Sequence, residues 1–110
     1  MTTLVIHAPY REGKPGTPKS WEVYFKTGIG LGYAIPQKDI TRLPTGSKVV
    51  LLRQDKNEMR AEGSLVQLVY TGENTRQGIK RYDVHFKNQK VVPFKREDGL
   101  SRQGVAVIQE

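Results

Sequence analysis

The clearest strand pattern in this chain is the stretch Lys80-Arg81-Tyr82-Asp83-Val84-His85-Phe86-Lys87. Apolar and polar residues alternate along it: one set is Tyr82, Val84 and Phe86, and the other is Arg81, Asp83, His85 and Lys87. Because successive side chains of a β-strand point to opposite faces of the sheet, the first set is predicted to lie in a core and the second on an exposed face. The stretch therefore predicts a half-buried strand.

Further strand patterns occur on both sides of this stretch. The predicted strands, in chain order, are 3–7, 21–26, 49–52, 59–71, 81–87, 90–94 and 105–108. Residues 49–52 form a continuous apolar run, which is typical of a strand buried on both faces. Gly63 predicts a bulge in the strand that contains it. The strand at 21–26 is predicted from the alternation of Trp21, Val23 and Phe25 with the residues between them.

Turn signals separate the predicted strands, and only residues 36–43 are predicted to form a helical turn. Proline and glycine are dense between residues 9 and 20, which predicts a loop. Residues 55–58 and Asn88-Gln89 are predicted hairpin tips. The chain is thus predicted to be one all-β domain, residues 1–110, with about seven short strands. Both terminal strands are apolar, and a small closed or partly closed barrel would leave neither as an aggregation-prone edge.

Positive charge is concentrated between residues 76 and 96. This stretch holds seven basic residues and one acid, Asp83, and so carries six of the seven net positive charges of the protein. A focused positive field attracts a polyanion, which makes nucleic acid a candidate partner. The alternative interpretation is that the charge serves solubility alone.

Several other classes of protein are disfavoured by the composition. The chain has no cysteine, so it contains neither a disulfide framework nor a thiolate metal site. No apolar run approaches the roughly 20 residues that cross a bilayer, and the N-terminus does not have the pattern of a signal peptide. The expectation is a soluble, cytoplasmic protein without a membrane partner.

The candidate nucleic-acid contacts combine basic and aromatic side chains. Phosphate contacts are predicted from the region of the basic strand, at Lys80, Arg81, His85, Lys87 and Lys90. A second hairpin tip is predicted to extend the track through Arg53, Lys56 and Arg60. Base stacking is predicted at Tyr24, next to Lys26, and at Tyr33, because exposed tyrosines among cations stack on bases while the cations hold phosphates. The opposing interpretation places the tyrosines at a half-buried rim.

No motif in the chain predicts catalysis, a metal or a cofactor. Gly28-Ile29-Gly30-Leu31-Gly32 is not followed by a helix, as a dinucleotide-binding turn would be, because Pro36 prevents one. It is predicted to be a turn or a bulged strand. His7 and His85 are the only histidines, and no carboxylate lies close in sequence to both. No serine has the context of a nucleophile. The protein is therefore predicted not to be an enzyme.

The order of these features resembles a known family of small barrels. After the element led by Trp21 and a proline-bounded turn come Pro44-Thr45-Gly46-Ser47-Lys48-Val49-Val50-Leu51-Leu52 and then Glu62-Gly63-Ser64-Leu65-Val66. This resembles the PUA-like barrels (pseudouridine-synthase-and-archaeosine-transglycosylase-like), including the EVE-type domains, over roughly Trp21 to Phe94. A similar turn before a buried strand occurs in SH3-like and OB-like barrels, so the predicted barrel is PUA-like or SH3-like. The resemblance implies binding of RNA or of modified bases in DNA.

Two functions therefore stay open from the sequence. The favoured one is a non-catalytic nucleic-acid-binding module that uses a basic hairpin face. The alternative is a protein-interaction or assembly module whose basic face meets an acidic partner, with residues 9–20 as a contact arm.

Overall fold

The structure is a computed structural model, and it describes residues 2–8, 21–53, 59–94 and 105–109. In chain order the elements are β1 (Thr2–His7), α1 (Trp21–Thr27), β2 (Ile29–Ala34), α2 (Gln37–Ile40), β3 (Lys48–Arg53), β4 (Met59–Asn74), β5 (Lys80–Val92) and β6 (Val105–Gln109). The predicted loop at residues 9–20, the predicted tip at 55–58 and Lys56 lie outside the described residues.

The described strands form one six-stranded sheet in the order β2-β5-β4-β3-β1-β6. β1 and β3 are parallel, and the other neighbouring strands are antiparallel. The fold is mostly β, as predicted, but the sheet curls into a half-barrel with two helices and is not a closed barrel of seven strands. The two terminal strands do pair with each other, β1 against β6. The edges of the sheet are β2 and β6.

The two faces of the sheet differ in what they bury. The inner face carries the larger core, which also takes in residues from α1 and β2; its fully buried members include Leu4, Ile6, Leu51, Leu65 and Val84. The outer face has a smaller cluster around Val5, Val50 and Leu52. β3 therefore buries residues on both faces, which confirms the prediction from its continuous apolar run.

The predicted strand at 21–26 is wrong, because these residues form helix α1. Trp21 and Tyr24 are buried, and the Trp21 and Phe25 rings stack with centroids 5.3 Å apart. Positions three and four apart share one face of a helix, so the same residues satisfy a helical pattern as well as an alternating one. The indole N–H of Trp21 donates to the Leu51 carbonyl oxygen at 3.1 Å, which fixes the helix on the inner face of the sheet.

The glycine-rich stretch after α1 belongs to a bulged strand, one of the two structures predicted for it. The N–H of Gly28 donates to the Tyr24 carbonyl oxygen at 2.9 Å, and its φ of 74° ends the helix in the left-handed conformation that glycine favours. β2 then pairs with β5, and the register shifts between Gly30 and Tyr33. Gly32 lies in this bulge with a φ of 70°. The predicted helical turn is confirmed as α2.

The hairpin predicted across Asn88-Gln89 is wrong, because β5 runs through both residues. Asn88 has a φ of 57°, and the β4–β5 register shifts there: Glu62 pairs with Lys90, and Ser64 with Lys87. The sequence signal for a turn thus marks a bulge, and its extra residue is on β5, opposite Gly63, and not on β4 at Gly63 as predicted. A Cβ on Gly63 would lie 2.8 Å from the Lys87 carbonyl oxygen, so the close approach of the two strands requires glycine.

Candidate functional site

A line of basic side chains on β5 is the first candidate site. Val84 and Phe86 are buried in the core of the inner face, as predicted, with exposed fractions of 0% and 5%. Because side chains of a strand alternate between the two faces, Arg81, His85 and Lys87 lie on the outer face. Lys90, beyond the bulge, lies on this face too, opposite its cross-strand partner Glu62. We call this line the basic strip; its members are Arg81, His85, Lys87 and Lys90.

The members of the basic strip differ in how accessible they are. Lys87 and Lys90 are exposed, whereas His85 and Arg81 are half-buried, so the predicted exposure of the last two is only partly met. The Arg81 guanidinium donates to the Gly32 carbonyl oxygen at 2.9 Å. Asp83, between Arg81 and His85 on the same face, accepts a hydrogen bond from the Gly32 N–H at 3.0 Å. Arg81 and Asp83 thus satisfy both backbone polar groups of Gly32 in the β2 bulge.

A small charge network lies on the outer face beside the strip. Glu62 accepts from Arg60 at 2.5 Å and from Lys48 at 3.0 Å. Partial burial opposes ionisation of Glu62, but the hydrogen bond from Lys48 and the charge of Arg60 outweigh it and lower the pKa of this carboxyl below its ordinary value. Arg60 is buried, so its charge is directed at Glu62 and not at solvent.

The predicted extension of the basic track at Arg53 and Arg60 is wrong as to exposure. Arg53 is only 2% exposed, and its guanidinium pairs with the carboxylate of Glu22 on α1. Arg53 follows Leu51 by two positions on β3, so its side chain lies on the inner face beneath the helix. Arg60 is buried against Glu62, as described above. Neither side chain presents its charge to a polyanion.

The predicted stacking residues are also buried. Tyr24 is 2% exposed because α1 turns it into the inner core, and Tyr33 is 8% exposed. The Tyr33 hydroxyl donates to the His7 carbonyl oxygen at 3.0 Å, and burial, with a smaller effect of Tyr24, raises the pKa of Tyr33 above its ordinary value. Lys26 is exposed, but on α1, across the sheet from the basic strip.

An exposed aromatic residue outside the predicted contacts lies on the long β4–β5 hairpin. Tyr70 is 43% exposed and its ring lies 5.9 Å from that of Tyr82, its cross-strand partner. The ammonium group of Lys80 lies 5.3 Å from the centre of the Tyr70 ring, a cation–π contact. Lys80 is therefore on the same side as Tyr70 and not on the basic strip. A sequence signal for the Tyr70–Tyr82 pair exists. Leu68 and Tyr70 alternate in the same way as Tyr82 and Val84, and this predicts that the two sets share one face.

A cleft of about 720 Å³ is the second candidate site. It lies where the two edges of the curled sheet approach each other: residues 31–36 from β2 and its C-terminal extension line one wall, and residues 105–107 from β6 line the other. The charged residues that line it, within the described part of the chain, are Lys38, Asp39, Arg76 and Arg81. The volume lies in the range of sites that bind ligands.

Two kinds of feature are absent from the described residues. Among them, no three His, Asp or Glu side chains are grouped so that they could hold a metal ion. In the same part of the chain, no helix has both the length and the apolar character needed to span a bilayer.

Comparison with models of protein families finds no match for this chain, and comparison with curated proteins finds no relative.

Proposed function

We propose that this protein is a non-catalytic nucleic-acid-binding module that holds a phosphate backbone on its basic strip. The observation that carries the proposal is the register of β5, which directs the exposed Lys87 and Lys90 to the face opposite the buried Val84 and Phe86. Lysine ammonium groups bind phosphates as point charges, and such contacts supply affinity without reading sequence.

The aromatic contribution in this proposal comes from the end of the β4–β5 hairpin. Because Tyr24 and Tyr33 are buried, Tyr70 supplies the stacking surface, with Lys80 beside its ring. Tyr70 pairs with Tyr82 and so lies on the face opposite the basic strip, and a single strand would reach both by passing around the end of the hairpin. Base–aromatic stacking is tolerant of sequence and needs an unpaired base. The proposal therefore favours RNA or DNA with accessible bases, the ligand classes that a PUA-like domain implies.

The direct experiment measures binding to single-stranded RNA, plain duplex DNA and base-modified DNA, each at two salt concentrations. Phosphate contacts release counterions, so the logarithm of the binding constant is expected to fall with the logarithm of salt, with a slope of about −0.7 per contact on a single strand and about −0.9 on a duplex. No binding to any of the three at physiological salt, or binding that salt leaves unchanged, would overturn the proposal.

A further inference from the structure

The cleft meets the β2 edge of the sheet and not one of its faces. Residues 31–36 are consecutive, and all of them line it. Successive side chains of a strand point to opposite faces, so a cavity lined by every residue in a run lies alongside the backbone. None of the described strands pairs with this side of β2, and this edge therefore forms one wall of the cleft.

Hydrogen bonding within the sheet shows which backbone groups β2 directs into the cleft. The Ile35 N–H donates to the Lys80 carbonyl oxygen at 3.2 Å, so Ile35 uses its backbone toward β5. Ala34 is opposite Arg81. In an antiparallel pair, hydrogen-bonded and non-hydrogen-bonded positions alternate, so the N–H and C=O of Ala34 point away from β5. They offer one donor and one acceptor along the open edge.

The charges around the cleft favour an anionic occupant. Among the described residues, Lys38, Arg76 and Arg81 line it against one acid, Asp39. Arg76 and Lys38 are exposed, and Arg81 donates to Gly32 on β2. Apolar side chains, Ile35, Ile79 and Val107 among them, make up much of the remaining lining. An occupant with alternating apolar and acidic side chains would complement both the cations and the apolar lining.

We propose that the cleft binds an acidic peptide segment in an extended conformation, which pairs with β2 at Ala34. The backbone of the peptide would exchange two hydrogen bonds with Ala34, the mode by which an extended segment is added to a sheet edge. Its acidic side chains would lie near Arg76 and Lys38, and its apolar side chains against Ile79 and Val107. Pro36 limits the pairing to a short stretch, because proline has no N–H to offer. This inference does not depend on nucleic-acid binding.

The test uses two fluorescein-labelled peptides, one alternating valine with glutamate and the other valine with lysine. Fluorescence anisotropy is expected to show binding of the acidic peptide and none of the basic one. Arg76→Glu and Lys38→Glu should each weaken acidic-peptide binding by about fivefold, as reversal of an exposed charge would. Lys87→Glu is the matched control, because it reverses a charge on the basic strip, and it should leave peptide binding unchanged.

A second measurement checks the position of the peptide. The acidic peptide should slow hydrogen exchange of the Ala34 amide, followed by NMR, and a version N-methylated along its backbone should not. Three results would each overturn the inference. The acidic peptide fails to bind, Lys87→Glu and Arg76→Glu weaken its binding equally, or the hydrogen exchange of the Ala34 amide is unchanged by the peptide. The inference would also be overturned if a single-stranded oligonucleotide bound the cleft instead, its affinity falling with Arg76→Glu but not with Lys87→Glu. That last result would also contradict the basic strip as the nucleic-acid site, whereas the others leave it untouched.

Discussion

The guanidinium group of Arg81 donates a hydrogen bond to the backbone carbonyl oxygen of Gly32 at 2.9 Å, and this contact joins β5 to the bulge of β2. Arg81 is thus part of the structure of the sheet as well as a member of the basic strip. A charge reversal at Arg81 is expected to lower the stability of the fold, whereas a surface substitution usually has only a small effect on stability.

Arg81→Glu is therefore predicted to destabilise the protein by about 1–3 kcal/mol, since it leaves the Gly32 carbonyl oxygen without its donor and places a second carboxylate beside Asp83. Lys87→Glu, on the same face, should change the free energy of unfolding by only about 0.5 kcal/mol. Urea denaturation of both variants checks this. Equal stability of the two would show that the Arg81–Gly32 contact contributes nothing.

Phe86→Ala should cost about 3–5 kcal/mol, because it empties an aromatic site in the inner core. Phe86 is 5% exposed, whereas Val91 on the same strand is 55% exposed. Val91→Ala is the matched control and is expected to have little effect. Chemical denaturation that gave both variants the same loss would contradict the orientation of β5.

Gly28→Ala is predicted to be far more destabilising than Gly46→Ala. Both glycines have a positive φ, 74° and 93°, so each substitution incurs the left-handed penalty of about 1–2 kcal/mol. An added Cβ at Gly28 would lie 2.5 Å from the Phe86 carbonyl oxygen, but at Gly46 it would meet nothing within 4 Å. Thermal melts that place the two variants at the same midpoint would contradict the close packing of the α1 end on β5.

Stability should fall at alkaline pH in a way that depends on Tyr33. Burial raises the pKa of Tyr33 in the folded protein, so the unfolded chain loses this proton first, at about pH 10. Above that pH the folded state binds more protons than the unfolded one, and the free energy of unfolding decreases.

Tyr33→Phe removes both the titration and the hydroxyl that donates to His7. It should cost about 0.5–1.5 kcal/mol near neutral pH, the ordinary value of one hydrogen bond. The difference from the parent should shrink as the pH rises past about 10. Urea denaturation across this range gives the comparison, and a difference that stays constant would show that Tyr33 is not responsible.

The parts of the fold that the sequence predicted well are those decided by local pattern. Val84 and Phe86 alternate with charged residues, and residues 49–52 are apolar without interruption, so their burial follows from strand geometry alone. Gly63 marked the position of a bulge, although the extra residue is on the neighbouring β5, and a side chain at Gly63 would meet that strand. These features need no knowledge of distant contacts.

The errors occurred where distant contacts decide the structure. The run from Trp21 to Lys26 fits the period of a strand and also that of a helix. The contact of Trp21 with Leu51 favours the helix. That helix in turn buries Tyr24 and supplies Glu22 to Arg53, so one misassigned element also produced two misplaced site residues. Asn88 is a residue type that is common in turns, but in the structure it lies in a bulge. The approach of β2 to β6, which forms the cleft, follows from the curl of the whole sheet and has no local signal.

The basic strip is tested most directly by the salt dependence of single-stranded RNA binding for the parent and for Lys87→Glu combined with Lys90→Glu. The charge-matched control is Lys26→Glu combined with Arg42→Glu, two exposed cations that are not on the strip. If the strip holds phosphates, its double variant stays folded, binds more weakly, and has a salt slope shallower by about 1.4, about 0.7 for each lost contact on a single strand. The control should retain the slope of the parent. If the strip variant binds with the affinity and slope of the parent, or if only the control loses binding, the strip is not the nucleic-acid site.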